Sequence, residues 1–90
     1  MPRPCNHRKT SCRPNACYYK PRGIPRHELE EVVLEKDELE AIKLADLDGL
    51  KHEEGADKMN ISRATFGRIL ERARNKIAGS IINGKAIRIN

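Results

Sequence analysis

Four side chains near the start of the chain are of the types that bind soft metal ions. Cys5, His7, Cys12 and Cys17 stand within thirteen residues, and thiolates and imidazoles are the ligands of tetrahedral zinc sites. No two cysteines have the two-residue separation of a zinc knuckle. Two interpretations stay open: a zinc-binding or redox-responsive switch formed by these four residues, or a flexible arm that carries reduced thiols.

The same residues make a poor catalytic site. A cysteine nucleophile needs a base, an orienting third group and a structured cleft, whereas Cys5 and His7 lie in a proline-rich stretch. The carboxylates of residues 28–57 are interpreted as helix caps and solvated faces. We therefore expect a protein that is not an enzyme and assign no catalytic residue.

A second group of side chains has the types and the spacing needed to contact DNA. Arg68 and Arg72 stand one helical turn apart, and an arginine can donate two hydrogen bonds to the major-groove edge of guanine. Ala64 and Thr65 are small enough to permit close approach to a groove. The flanking residues Ser62, Arg63, Arg74 and Lys76 would meet phosphates. The predicted DNA-binding residues are Ser62, Arg63, Ala64, Thr65, Arg68, Arg72, Asn75 and Lys76.

Several of these residues also have a plain structural interpretation. Arg68 and Arg72 could be solvated surface charges, with Arg72 paired to nearby acids. Ser62 would cap a helix whether or not it touches DNA. Thr65 could be ordinary surface.

Residues that read DNA must stand on a helix whose opposite side is packed. Ser62 predicts an N-cap and a helix of about 63–79. At 100° per residue the apolar side chains of this helix fall on one stripe. The opposite side carries Ala64, Thr65, Arg68, Arg72 and Asn75. The stripe consists of Phe66, Ile69, Leu70, Ala73 and Ile77.

A shorter helix, at about 52–59, precedes this one. Asn60 tolerates positive φ and predicts a tight turn between the two. Ala56, Asn60 and Phe66 supply a small residue, a turn residue and an inner apolar residue at spacings of four and six, which is typical of a helix-turn-helix. Gly55 departs from the pattern, because glycine costs about 1 kcal/mol in a helix interior.

The remaining segments complete a mainly α fold. Residues 1–26 hold all five prolines and predict an extended or disordered basic arm. Asp37 and Glu40 form a capping-box pair for a helix of about 37–47. Strands are predicted at about 30–35 and 85–89, paired in a short β ribbon within one chain or between two copies. In this ribbon Lys85 and Arg88 could face Glu30, Glu31 or Glu35. We expect an arm (1–26) followed by a three-helix helix-turn-helix domain with a C-terminal strand (27–90).

Charge is sorted into three blocks that the net charge of +5 conceals. Residues 1–26 carry +7, residues 27–57 carry −9 and residues 58–90 carry +7. The two basic blocks suit an anionic polymer. The acidic block either docks on a basic partner such as RNA polymerase or neutralises the basic blocks within the fold.

The hydrophobic pattern of the chain indicates in which compartment of the cell the protein is found. No apolar run approaches the length of a membrane span, and no apolar stretch follows the basic N-terminus as in a secretory signal. Three cysteines, an odd number, argue against a disulfide framework. We expect a cytoplasmic protein.

Extended stretches of the chain resemble a known family. They are residues 39–50 (LEAIKLADLDGL), residues 61–71 (ISRATFGRILE), the N-terminal MPRP, and the closing NGKAIRI. These stretches are similar to uncharacterised protein family 0251, also called domain of unknown function 134. The resemblance implies a DNA-binding protein whose helices are similar to region four of bacterial sigma factors, with the second helix of the motif reading DNA through Arg63, Ala64, Thr65, Arg68 and Arg72.

The residues and the resemblance together predict a sequence-specific double-stranded DNA-binding protein that regulates transcription and has no resident cofactor. Two alternatives stay open. One is a protein-interaction module that uses the acidic block, and the other is a metal- or redox-responsive DNA-binding switch with zinc on Cys5, His7, Cys12 and Cys17.

Overall fold

The computed structural model describes Pro14 and residues 16–90. Within that range the chain is mainly helical, with a small three-stranded sheet. The elements in chain order are strand β1 (Tyr18–Tyr19), a 3-10 turn (Arg26–Glu28), strand β2 (Glu31–Leu34), helix α1 (Lys36–Ile42), a π-helical turn (Lys43–Leu47), helix α2 (His52–Met59), helix α3 (Arg63–Asn83) and strand β3 (Ala86–Ile89).

Helix α1 begins earlier than the sequence predicted, and the predicted cap is wrong. The N-terminal cap is Glu35, and the Glu38 carboxylate accepts a hydrogen bond from the Glu35 backbone N–H at 2.9 Å. Asp37 already lies inside the first turn, so it cannot cap the helix. The last part of the predicted helix 37–47 is a wider π-helical turn, in which Asp48 N–H donates to Lys43 O at 2.8 Å.

The turn between α2 and α3 forms as predicted. Asn60 adopts the left-handed conformation, with φ 61° and ψ 43°. Ser62 caps α3, and its Oγ accepts a hydrogen bond from Thr65 N–H at 3.1 Å. Helix α3 extends four residues beyond the predicted end, because Gly79 stays helical and the chain turns only at Gly84, where φ is 69°.

The sheet contains the predicted pairing and one strand more. β3 is central: it runs parallel to β2, with Val32 opposite Ile87, and antiparallel to β1. The pairing lies within one chain. Tyr18–Tyr19 belong to the segment predicted as an extended or disordered arm, and in the structure they are extended and pair with the second edge of β3. At that edge Ile89 N–H donates to Cys17 O at 2.9 Å.

The core lies between the helices. It is built from small and aliphatic side chains of the three helices and the π-helical turn around one aromatic ring, that of Phe66. Four of the five residues predicted for the inner stripe of α3 are buried, and Ile77 is half-buried. The main cluster consists of Ala41, Leu44, Ala56, Met59, Phe66, Ile69 and Leu70.

Candidate nucleic-acid interface on helix α3

The side of α3 opposite the core carries most of the predicted DNA-contacting residues. Most of them are exposed, and Thr65 and Lys76 are half-buried. The structure therefore aligns a polar, cationic surface along the outer side of the helix, as the periodicity predicts. The exposed members are Ser62, Arg63, Ala64, Arg68, Arg72 and Asn75.

The first two turns of α3 form a small hydroxyl-centred arrangement. Thr65 Oγ1 accepts a hydrogen bond from Ser62 Oγ at 2.9 Å and a longer one from Arg68 Nη2 at 3.4 Å. Arg63 and Arg68 form no ion pair with any carboxylate of the described residues, and residues 1–27 contain no Asp or Glu. Positive charge at this end of the helix is therefore directed to solvent.

Further along α3, the cations are held by acids from α1. Arg72 Nε donates to Glu38 Oε2 at 2.6 Å, and Lys76 Nζ donates to Glu38 Oε1 at 2.8 Å. Lys76 Nζ also donates to the Val33 carbonyl at 2.7 Å. Lys76, predicted to meet phosphates, is thus directed into the molecule, while the side chain of Arg72 remains 52% exposed.

Glu38 is fully buried and yet ionised. Burial alone raises the pKa of this carboxyl, but hydrogen bonds from Lys76, the Glu35 backbone and Arg72 outweigh it, so the pKa lies below the ordinary value. Every buried side-chain nitrogen and oxygen among the described residues has a hydrogen-bond partner. A buried charge of this kind is tolerated only when it is paired in this way.

A second ion pair links α3 to the π-helical turn. Arg74 donates to both oxygens of Asp46, through Nη2 at 2.7 Å and Nε at 3.1 Å. Arg74 thereby holds the pKa of Asp46 below its usual range. Arg74, predicted from the sequence to meet phosphates, is thus tied to the fold, which makes it less available to a ligand than Arg68.

Part of the acidic block is neutralised by the C-terminal basic block. Besides Glu38 and Asp46, Glu30 Oε1 lies 3.4 Å from Lys85 Nζ, and Glu31 Oε1 lies 3.4 Å from Arg88 Nε. These pairs match the predicted ladder contacts between the two strands. The acidic surface offered to a basic partner is accordingly smaller than the sequence block indicates.

Of the four predicted metal ligands, Cys5, His7 and Cys12 lie outside the described residues. Cys17 is exposed at the start of β1. Residues 16–90 together with Pro14 contain no group of three or more histidine, cysteine or carboxylate side chains placed to hold a metal ion. The zinc hypothesis stays a prediction.

Comparison with known proteins identifies the family. The whole chain, residues 1–90, matches the family described as "Protein of unknown function DUF134". The chain belongs to the DUF134 family.

Curated relatives of this DUF134 chain carry the name UPF0251 protein. One from Desulfosudis oleivorans is 56% identical over 89 residues, which is 99% of this chain and 64% of the relative. One from Caldanaerobacter subterraneus is also 56% identical, over 99% of this chain and 75% of the relative. One from Vibrio vulnificus is 49% identical, over 97% and 87%. The chain thus spans about two thirds of the first relative's length. No solved structure matches it.

Two features of the DUF134 chain were not predicted from the sequence. The carboxylates of residues 28–57 were expected to be helix caps or solvated, whereas Glu38 is buried and ion-paired; Ala41 and Ile42, three and four positions on, mark the inward side of α1. Arg26 lies over the Tyr18 ring at 4.9 Å, and the Tyr18 hydroxyl donates to Glu31 at 2.7 Å. Helical spacing could have indicated the burial of Glu38, whereas the contacts of Tyr18 depend on the pairing of the strands in the sheet.

Across the described part of the DUF134 chain, no helix combines the length and the hydrophobicity that crossing a bilayer requires.

Proposed function

We propose that this DUF134 protein binds double-stranded DNA sequence-specifically and regulates transcription, with the N-terminal half of α3 in the major groove. The observation that carries the proposal is the distribution of paired and unpaired cations on α3. Arg74 and Lys76 are tied to acids of the fold, whereas Arg63 and Arg68 extend to solvent where a helix-turn-helix contacts DNA.

The outer face offers a graded set of contacts. Arg68 would donate to guanine O6 and N7, and Ala64, one turn earlier, would permit close approach of the helix to the base edges. Arg63, beside the cap, would contact a phosphate. Thr65 would fix the Arg68 guanidinium through its hydroxyl.

The resemblance to region four of bacterial sigma factors supports the same surface. The order of a short helix, a turn at Asn60 and a helix capped by Ser62 agrees with the helix-turn-helix docking geometry. Docking of the acidic block on a basic partner draws less support, because Glu30, Glu31 and Glu38 are already paired within the chain.

Selection from a random duplex library tests the proposal. The full chain is expected to enrich a defined sequence at two salt concentrations. Arg68→Ala should weaken binding to that sequence by about 1–3 kcal/mol and blur its preference. The matched control, Arg74→Ala, removes an arginine of the same helix that is held by Asp46, and it should leave the sequence preference unchanged.

Enrichment of no sequence would contradict the proposal. Equal losses on selected and random DNA for both variants would contradict the assignment of Arg68 as a base reader. Binding to a basic protein that persists in high salt and ignores DNA would favour the interaction module instead.

A further inference from the structure

We propose that Glu38 is a positioning residue for DNA readout: it holds Arg72 from inside the fold so that the outer edge of the guanidinium faces a base pair. This inference rests on the proposed function and adds a specificity determinant on α1, a helix that the helix-turn-helix pattern leaves out. The pair joins residues that stand 34 positions apart in the chain.

The contact uses only the inner side of the guanidinium. Glu38 Oε2 accepts from Arg72 Nε at 2.6 Å. Asp37 Oδ2 forms a longer ion pair with Arg72 Nη2, at 3.9 Å, which is beyond hydrogen-bond distance. The Nη groups can form the end-on donor pair for guanine O6 and N7, and the side chain that carries them is 52% exposed.

Glu38 is itself immobile, so it can serve as a fixed support. Its other oxygen accepts hydrogen bonds from the Glu35 backbone N–H at 2.9 Å and from Lys76 Nζ at 2.8 Å. Lys76 is in turn fixed by the Val33 carbonyl. A carboxylate with no exposed surface and three donors cannot rotate freely, and an arginine bound to it loses rotamer freedom before any ligand arrives.

Lys76 gives the arrangement its charge balance. Paired with Glu38 alone, the positive charge of Arg72 would be cancelled. Because Lys76 also pairs with Glu38, the group of three side chains keeps a net positive charge. Arg72 lies one helical turn beyond Arg68 on the same exposed face. The two arginines would thus address neighbouring base pairs, one held by Thr65 and the other by Glu38.

The test measures discrimination between the selected duplex and its single-base-pair variants at constant salt. Arg72→Ala identifies the base pair that Arg72 reads. Glu38→Gln should lower discrimination at that same base pair about tenfold, with no further loss in the Arg72→Ala background. The matched control is Asp46→Asn, which removes the carboxylate that holds Arg74 and should leave discrimination unchanged.

Thermal unfolding of each variant separates positioning from folding. If Glu38→Gln does not fold, Glu38→Asp replaces it; this variant keeps the charge but withdraws the oxygens by one methylene, and it should also lower discrimination at the Arg72 position. Discrimination that stays unchanged in a folded Glu38 variant, or that falls equally at all positions, overturns the inference.

The two proposals fail differently. If no duplex is enriched by the wild-type chain, both fall. Arg68→Ala could weaken binding to a selected duplex while Arg72→Ala and the Glu38 variants leave the discrimination between base pairs unchanged. In that case only the positioning role of Glu38 is refuted, and the Glu38–Arg72 pair is a structural link between α1 and α3.

Discussion

The ring of Phe66 lies directly against the backbone of Gly55. A Cβ atom at Gly55 would stand 2.5 Å from Phe66 Cζ and 2.7 Å from Cε1. Phe66 has no exposed surface, so its ring has little space into which it can withdraw. At Gly55, the residue that departs from the helix-turn-helix pattern, the side chain of Phe66 from α3 therefore packs directly on the backbone of α2.

Gly55→Ala is expected to destabilise the protein by about 1–3 kcal/mol, because the added methyl group overpacks a filled core. Urea unfolding, monitored through the circular dichroism of the helices, measures the change in the free energy of unfolding. Gly79→Ala is the control: nothing lies within 4 Å of its Cβ position, so it should stabilise α3 by about 0.5–1 kcal/mol. Similar effects of the two substitutions would contradict the close approach.

Asn60→Ala is expected to cost about 1–2 kcal/mol, because alanine pays the full steric penalty of the left-handed conformation that Asn60 adopts. Asn60→Gly should be tolerated. Both variants are compared by thermal unfolding. An alanine variant as stable as the glycine variant would mean that the turn adopts another conformation.

Arg63→Ala and Lys76→Met should differ in their effect on the salt dependence of DNA binding. Arg63 is exposed, so its loss should reduce the slope of log affinity against log salt by about one. Lys76→Met should leave the slope unchanged and instead cost about 1–3 kcal/mol of stability, because buried Glu38 loses a charged donor. A reduced slope for Lys76→Met would restore the phosphate contact predicted from sequence.

The depressed pKa of Glu38 predicts acid destabilisation. The unfolded chain binds a proton to this carboxyl at higher pH than the folded chain does, so Glu38 contributes stability above about pH 4.3, the ordinary glutamate value, and that contribution is lost as the pH falls through the folded pKa. Unfolding free energies between pH 6 and pH 3 measure it. Glu38→Gln should flatten this acid limb relative to wild type, and parallel curves would show that the pKa of Glu38 is the same in the folded and unfolded chains.

Local features of the chain were predictable because their causes are local. The positive φ of Asn60, the Ser62 cap and the inner stripe around Phe66 depend on residue type and on helical periodicity over a few positions. The strands at Glu31–Leu34 and Ala86–Ile89, and the opposition of their charges, also follow from pattern. Family membership follows as well, because motifs along nearly the whole chain match.

Only the tertiary structure decided how distant residues share space and charge. From the sequence Gly55 is only a weak helix former, whereas the structure shows that the Phe66 ring packs against it. From the sequence Lys76 is a surface cation, whereas in the structure it pairs with the buried carboxylate of Glu38, 38 positions away. Tyr18–Tyr19 become a strand only because β3 offers a second edge. These three features depend on contacts between residues that are distant in the chain and meet only when it folds. Helical or strand periodicity therefore does not predict them.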